Sequence, residues 1–351
     1  MGRRAAAPDP AARRLPETAA VLEVRRAVRM WLRQFTTGDE GAVAVALSGG
    51  ADSLALTAAA VVEAPAVDAL IVDHGLQAGS DRVAAEAAAT ATALGCRSAR
   101  VLPVVVDRSG GLEAAARRAR YGALAAARAG GPVLLGHTLD DQAETVLLGL
   151  ARGSGGRSIQ GMAAYSAPWG RPLLGVRRAV TRALCADLGV RVFEDPHNSA
   201  PEFTRVRVRH EVLPLLEDVL GGGVAEALAR TSAQLREDVA VLDELAEELL
   251  AAAAAGGEDA TAPGDHAVTL AVEILATAPA ALRRRAIRAW LLDGGAKALT
   301  DKHLRSVDAL VTAWRGQGGV AVGGGSPGTR LVAARERGRL TLRWRRSTPP
   351  Q

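Results

Sequence analysis

Lysine is almost missing from this chain of 351 residues: Lys297 and Lys302 are the only two, so nearly all of the 43 basic side chains are arginines. A phosphate loop of the GxxxxGK[ST] type is therefore excluded, and no GxGxxG dinucleotide fingerprint stands at the strand-to-helix turn where one would bind. Aromatic residues make up 3%, which rules out a partner bound mainly by stacking bases on rings. Cysteine occurs twice, at Cys96 and Cys185, without a CxxC pair; a cysteine zinc site and a disulfide framework are both excluded. No run approaches the roughly 18 strongly apolar residues of a membrane span. The opening MGRRAAAPDPAARRLPE has arginines but no apolar core, so it reads as a loose tail rather than a secretory signal, and a cytoplasmic protein is expected.

What is present is an ordinary globular composition, 48% hydrophobic and 23% charged, at a length that suggests two domains. The formal charge is +5. Arginine forks onto phosphate in two-point contact, so a polyanionic partner fits this balance. From Ala42 to about Leu150, short Val-rich runs alternate with Ala/Arg/Glu stretches of helical period. Strands are expected at Ala42–Leu47, Val67–Val72, Ala99–Val106 and Pro132–Gly136, with helices beginning near Asp52, Asp81, Gly111 and Asp140. Continuous apolar strands separated by helices indicate an α/β, doubly wound parallel sheet, which binds ligands at the carboxyl ends of its strands. Beyond Ala151 a Gly/Ser/Pro/Arg connector leads to a helix near Arg178–Leu188, then, after Gly221–Gly223, to a long helix ending at Ala255. AGGEDATAPGD, Ala255–Asp265, is a linker by composition. Helices near Pro279–Leu292 and Thr300–Trp314 and strands at Arg330–Ala334 and Arg339–Trp344 complete a smaller mixed region. The expected division is a tail over 1–20, a catalytic domain over 21–216 and a C-terminal domain over 217–351.

Three stretches carry chemistry. In SGGADS, Ser48–Ser53, two glycines end a buried strand and the first amides of a helix point outward, which is how backbone N–H groups cradle phosphate. The same letters also suit a plain tight turn with Asp52 as helix N-cap. GHTLDDQAET, Gly136–Thr145, repeats the geometry: Thr138 caps the helix and Asp141 reaches back, a variant of the capping box. That leaves His137, Asp140 and Glu144 unexplained. Asp141 and Glu144 share a helix face, and two carboxylates beside a phosphate site suit Mg²⁺. In LEAAARRARYGAL, Arg117 and Arg120 project from neighbouring turns, either as a solvated face or as charge compensation for a triphosphate.

In this order, the three stretches resemble the N-type ATP pyrophosphatase (PP-loop) superfamily, whose phosphate loop reads SGGxDS. Within it they are similar to the tRNA(Ile)-lysidine synthase family. VDHGL at Val72–Leu76, the E-x-x-x-R-x-x-R-Y run at Glu113–Tyr121, RGSG at Arg152–Gly155, RPLL at Arg171–Leu174 and EDPHN at Glu194–Asn198 extend the likeness over Ala42–Leu216. Departures are Val206 after Arg205, where the family tends to carry Asn, and His197, where serine is common. The resemblance implies an enzyme that joins L-lysine to C2 of the wobble cytidine of tRNA(Ile) with a CAU anticodon. The C2 oxygen attacks the α-phosphorus of ATP and releases pyrophosphate; the lysine ε-amine then displaces AMP. It also implies roles. Ser48, Gly49, Gly50, Ala51, Asp52 and Ser53 grip the phosphates, Asp52 and Asp141 hold Mg²⁺, and His137 lies near the α-phosphate. Arg117, with Arg120 behind it, compensates charge, and Asp140 and Glu144, with Asp73 a third option, take the lysine ammonium. Arg171, Arg177, Arg178, Arg182, Arg205 and Arg209 are expected to face tRNA phosphates, as are Arg283, Arg284, Arg285 and Arg288. Base thiolation and non-catalytic tRNA binding are the rival functions, and the oligomeric state stays open, a homodimer included.

Overall fold

The computed structural model describes residues 15–36, 42–75, 79–107, 111–153, 155–194, 203–255, 269–324 and 329–346. The tail as far as Arg14, Leu76 of VDHGL, Ser154 of RGSG, His197 with the rest of EDPHN after Glu194, and the linker after Ala255 lie outside the described residues. Contacts divide the chain into two compact units, Met1–Ala233 and Gln234–Gln351.

The first unit opens with helix α1 (Ala19–Phe35), which Thr18 caps and which buries Val21, Val24, Val28, Trp31 and Leu32 along one face, the stripe of a 3.6-residue period. Then come β1 (Val43–Ala46), α2 (Ala51–Glu63), β2 (Val67–Asp73), α3 (Ser80–Leu94), β3 (Ser98–Pro103), α4 (Leu112–Ala127), β4 (Val133–Leu134) and α5 (Leu139–Ala151). The four expected strands and their helices are present, each helix starting within one residue of its expected position. Strand β3 stops at Pro103 rather than Val106, and proline has no N–H to continue a ladder. A short α6 (Gly156–Ile159), β5 (Tyr165–Ser166), β6 (Trp169–Gly170) and α7 (Arg178–Asp187) follow. After them α8 (Thr204–Arg207), a π-helical turn (Val208–Val212) and α9 (Leu213–Val219) lead into α10 (Val224–Ala255).

The sheet order is β3-β2-β1-β4-β6-β5. All neighbours pair in parallel except β5 with β6. From β1 the chain steps outward to β2 and β3, then returns to lay β4 on the other side of β1. The crevice between the carboxyl ends of β1 and β4 is thus the topological switch point, where such sheets bind ligands. Both strands are fully buried, with Val43, Val45, Leu134 and Leu135 at or near zero exposure. They form a rigid floor for the turns above them.

The second unit contains the end of α10, β7 (Leu270–Ala271), α11 (Val272–Thr277), α12 (Ala280–Asp293), α13 (Asp301–Thr312), β8 (Val320–Val322), β9 (Thr329–Glu336) and β10 (Arg339–Arg346). Its antiparallel sheet runs β7-β10-β9-β8 over a core that includes Leu275, Ile287, Leu291, Val307, Leu310 and Leu340. Here one expectation is corrected. Arg283 does not face RNA: it is buried and pairs with buried Asp308 at 2.5 Å, Arg284 reaches the same carboxylate at 3.1 Å, and Arg285 pairs with Asp243. A guanidinium this deep is retained because its carboxylate neutralises it. Among the described residues no helix is long and apolar enough to cross a membrane.

Candidate functional site

Two strand-to-helix turns meet across the switch point. In the first, Gly49 takes φ of +82°, a conformation that costs other residues strain, and its carbonyl accepts the Phe193 amide at 2.9 Å. The Ser53 hydroxyl folds back, accepting the Ser48 amide at 3.1 Å and donating to the Gly50 carbonyl at 2.9 Å. This locks the loop while the opening amides of α2, from Ala51 onward, lack intrahelical acceptors. Gly50 is the N-cap and no side chain caps this helix. The alternative of Asp52 as N-cap is thereby overturned, and its carboxylate is available for other work.

The second turn follows β4. A Cβ on Gly136 would stand 2.9–3.0 Å from the backbone of Asp52 and Ser53, so only glycine lets the two turns touch this closely. Thr138 and Asp141 form the expected capping box: the Asp141 carboxylate accepts the Thr138 amide and hydroxyl, each at 2.8 Å, while the Thr138 oxygen accepts the Asp141 amide. Asp141 is 8% exposed and Glu144 fully buried, an arrangement that needs counter-charge.

That counter-charge comes from α7 and from the π-helical turn. Arg178 donates from Nη2 to Asp141 at 2.7 Å, from Nη1 to Glu144 at 3.3 Å and from Nε to Asp52 at 3.4 Å. Its backbone amide donates to Asp140 at 2.7 Å. Arg209 grips Glu144 at 2.7 and 3.1 Å and touches Asp141 at 3.3 Å. Arg177 pairs with Asp140 at 3.2 Å and with Glu226 at 2.8 Å, and Thr181 donates to Asp52. Arg205 donates to Thr145 at 3.3 Å. The expected display of Arg177, Arg178 and Arg209 toward RNA is corrected: their guanidiniums point into the carboxylate cluster and balance it. Burial raises the Asp52 pKa despite Thr181 and Arg178. Asp141, buried as well, is held below the usual carboxylate range by Arg178 and by the Thr138 amide. Asp141 has the closer contact with Arg178, 2.7 Å against 3.4 Å, and the Thr138 hydrogen bonds that Asp52 lacks. Thr181 is the residue that the motif reading missed, and Arg178 the one it turned outward, although their i, i+3 spacing puts them on one face of α7.

On the other flank, burial pushes the His137 imidazole down to about 4, so it stands neutral near pH 7. Its Nδ1 is buried with no partner among the described residues, and it lies in the field of Asp141, Arg171, Arg120 and Arg117. Arg117 lies over the Tyr121 ring, 4.9 Å from its centroid, and donates to the phenol oxygen at 3.2 Å. Burial, with Arg117 alongside, lowers the pKa of Arg120 and Arg171. Crowded like charges of this kind suit an anion. A cavity of about 200 Å³ opens beside Arg178, lined by Asp140, Glu144, Glu217 and Arg209 with the apolar Leu213 and Pro214. No three His, Cys, Asp or Glu side chains among the described residues form a metal cage by themselves. Asp52 and Asp141 are carboxylates of the kind, and in the number, with which Mg²⁺ is held alongside a nucleotide's phosphates, so the donor set would fit that ion.

Comparison with known proteins agrees with this geometry. Residues 23–216 match the PP-loop domain and residues 270–341 the TilS substrate binding domain. The chain is 74% identical to a tRNA(Ile)-lysidine synthase of Nocardia farcinica, over 93% of this chain and 99% of that one. It is 69% identical to one of Rhodococcus erythropolis, over 93% and 97%. Among solved structures, a U34-tRNA thiolase from Methanococcus maripaludis with its [4Fe-4S] cluster superposes with a TM-score of 0.52 at 18% identity, over 63% of this chain and 81% of that one, which bears on the fold alone. By its two matched domains and its identity along nearly the whole length, the chain belongs to the tRNA(Ile)-lysidine synthase family.

Proposed function

We propose that this protein ligates L-lysine to C2 of the wobble cytidine of tRNA(Ile) with a CAU anticodon, consuming ATP and releasing AMP and pyrophosphate through an adenylated tRNA. The observation that carries the reading, beside family membership, is the contact at Gly136 that sets the amide-lined loop carrying Asp52 against the turn carrying Asp140, Asp141 and Glu144. Attack on the α-phosphorus requires the β,γ-phosphates to be held as a leaving group and the spreading charge to be compensated. The amides and hydroxyls of Ser48–Ser53 do the holding. Arg117 and Arg120 supply positive charge on the His137 side, where the neutral imidazole hydrogen-bonds near the α-phosphate without adding charge of its own. Asp52 and Asp141 would hold Mg²⁺, which would supply a Lewis acid for the charge on the phosphate oxygens.

In the second step an amine must reach C2 unprotonated. The cavity beside Arg178 suits lysine: Asp140 or Glu144 for its α-ammonium, Arg209 for its carboxylate, Leu213 and Pro214 for its methylenes, with Asp140 also able to take the proton that the ε-amine loses before attack. Arg205 and the exposed Arg182 remain for tRNA phosphates. Thiolation is disfavoured by the thiols themselves, since burial pushes Cys96 up to about 12 and Cys185 up to about 11 and a thiolate is the reactive form. The test is incubation with ATP, Mg²⁺, labelled lysine and a CAU-anticodon transcript. Label in the RNA with matching AMP and pyrophosphate is expected; ATP turnover to ADP, or no label transfer, refutes the reading.

A further inference from the structure

Arg178 spends all three guanidinium nitrogens on carboxylates, and those carboxylates come from both turns of the site. Nε meets Asp52 at the start of α2, and Nη2 and Nη1 meet Asp141 and Glu144 on α5. Arg209 touches only the α5 pair. Arg178 is thus the one cation among the described residues seen to bridge Asp52 and Asp141, the two residues assigned to Mg²⁺. A dication arriving alone would sit beside a fixed positive charge in a partly buried place, where opposition is weakly screened. Mg²⁺ arriving with a triphosphate brings enough negative charge to accommodate both cations.

We infer that Arg178 is a positioning residue that makes metal binding conditional on the nucleotide: it keeps Asp52 and Asp141 engaged and neutralised until a metal–nucleotide complex displaces its grip. This rests on the proposed assignment of Asp52 and Asp141 as metal ligands. The planar fork matters as well as the charge, because a single ammonium cannot hold three carboxylates in fixed directions.

Mn²⁺, standing for Mg²⁺, gives a readout independent of activity through water-proton relaxation enhancement, which separates the protein–metal–ATP complex from Mn·ATP in solution. Wild-type protein is expected to bind Mn²⁺ at least tenfold more weakly without ATP than with it, and Arg178→Gln to bind nucleotide-free Mn²⁺ at least tenfold more tightly than wild type. Arg178→Lys keeps the charge, so its nucleotide-free Mn²⁺ binding stays as weak as wild type while adenylation slows. The inference is overturned if wild-type protein binds Mn²⁺ equally with and without ATP, or if Arg178→Lys binds nucleotide-free Mn²⁺ tenfold better than wild type; these two arms decide even should Arg178→Gln not fold. A folded Arg178→Gln protein with wild-type Mn²⁺ affinity overturns it equally. Failure of the ligand assignment itself has another signature: Asp52→Asn and Asp141→Asn would both hold Mn²⁺ in the presence of ATP as wild type does.

Discussion

Gly136→Ala adds one methyl group at the contact between the two turns, and the structure sets its cost. The new Cβ would lie 2.9 Å from the Asp52 carbonyl carbon and 3.0 Å from the Asp52 oxygen and Ser53 nitrogen, where ordinary contact begins at 3.4 Å. All three are backbone atoms, so no side chain can rotate away, and the turns must part by about 0.5 Å. Overpacking of this kind costs about 1–3 kcal/mol. Gly136 is not among the positive-φ glycines, so alanine recovers about 0.4–1 kcal/mol by restricting the unfolded chain. The net loss of about 1–2 kcal/mol corresponds to a Tm lower by roughly 2–8 °C for a unit of this size. Catalysis is expected to suffer more. A misplacement of about 1 Å costs on the order of 100-fold, so about half that displacement between phosphate loop and carboxylates costs roughly tenfold. The assay pairs thermal unfolding with single-turnover pyrophosphate release on saturating ATP and tRNA. Gly175→Ala is the control, since nothing lies within 4 Å of its Cβ. A Gly136→Ala protein with the control's Tm and rate would refute the argument that this contact aligns the site.

Other expectations follow from the same geometry. Asp52→Asn and Asp141→Asn should each lower AMP formation by at least about 100-fold, the scale on which losing one electrostatic contact to a phosphoryl transition state is felt; near-normal turnover in both removes them from the site. His137 gives a pH signature. Its folded pKa of about 4 lies below the usual 6.5, so the unfolded chain binds more protons between those values. Stability is therefore complete above pH 6.5 and falls on acidification toward pH 4, by at most about 3 kcal/mol. Denaturant melts of His137→Asn across that range should show a shallower fall; an unchanged slope would assign the acid sensitivity to other groups. Arg283→Ala should destabilise the second unit by about 3 kcal/mol, because it strips a buried carboxylate of its closest partner, while Arg283→Met with Asp308→Leu should recover much of that in thermal melts. If Arg283→Ala melts as wild type, Asp308 has no need of it and Arg284 suffices.

The parallel sheet was legible because its strands are apolar runs cut off by glycine or aspartate, which is what burial on both faces and a strand-to-helix turn demand of a sequence. SGGADS and GHTLDD were legible for a related reason: loop chemistry is local, and Thr138 with Asp141 writes a capping box in four letters. Gly136 was quoted within its motif, but nothing in the motif tells that its missing side chain makes room for Asp52, a residue 84 positions earlier. That kind of fact lives in the parallel pairing of β1 with β4, not in either segment.

The arginines show the limit more sharply. Arg178, Arg209 and Arg283 carry the same charge as any exposed arginine, and in a chain of net +5 they read naturally as RNA contacts. What assigns them inward is the position of buried acids: Glu144 and Asp141 cannot be desolvated unpaired, and α7 and the π-helical turn are the elements that bring guanidiniums to them. Net charge therefore overstates the basic surface left for tRNA. A buried carboxylate count should be subtracted from the arginines before a polyanion is inferred, and in this protein the subtraction falls on the arginines that flank the catalytic turns. Of the first-unit arginines expected to face RNA, half-buried Arg171 donates to the Ala163 carbonyl, and the exposed Arg182 and Arg205 are the ones whose neutralisation should weaken tRNA affinity and its salt dependence without moving ATP affinity. A filter-binding series over salt concentration checks this: Arg182→Gln with Arg205→Gln should lower the log–log slope by about 2, and an unchanged slope would mean that the tRNA backbone is met elsewhere.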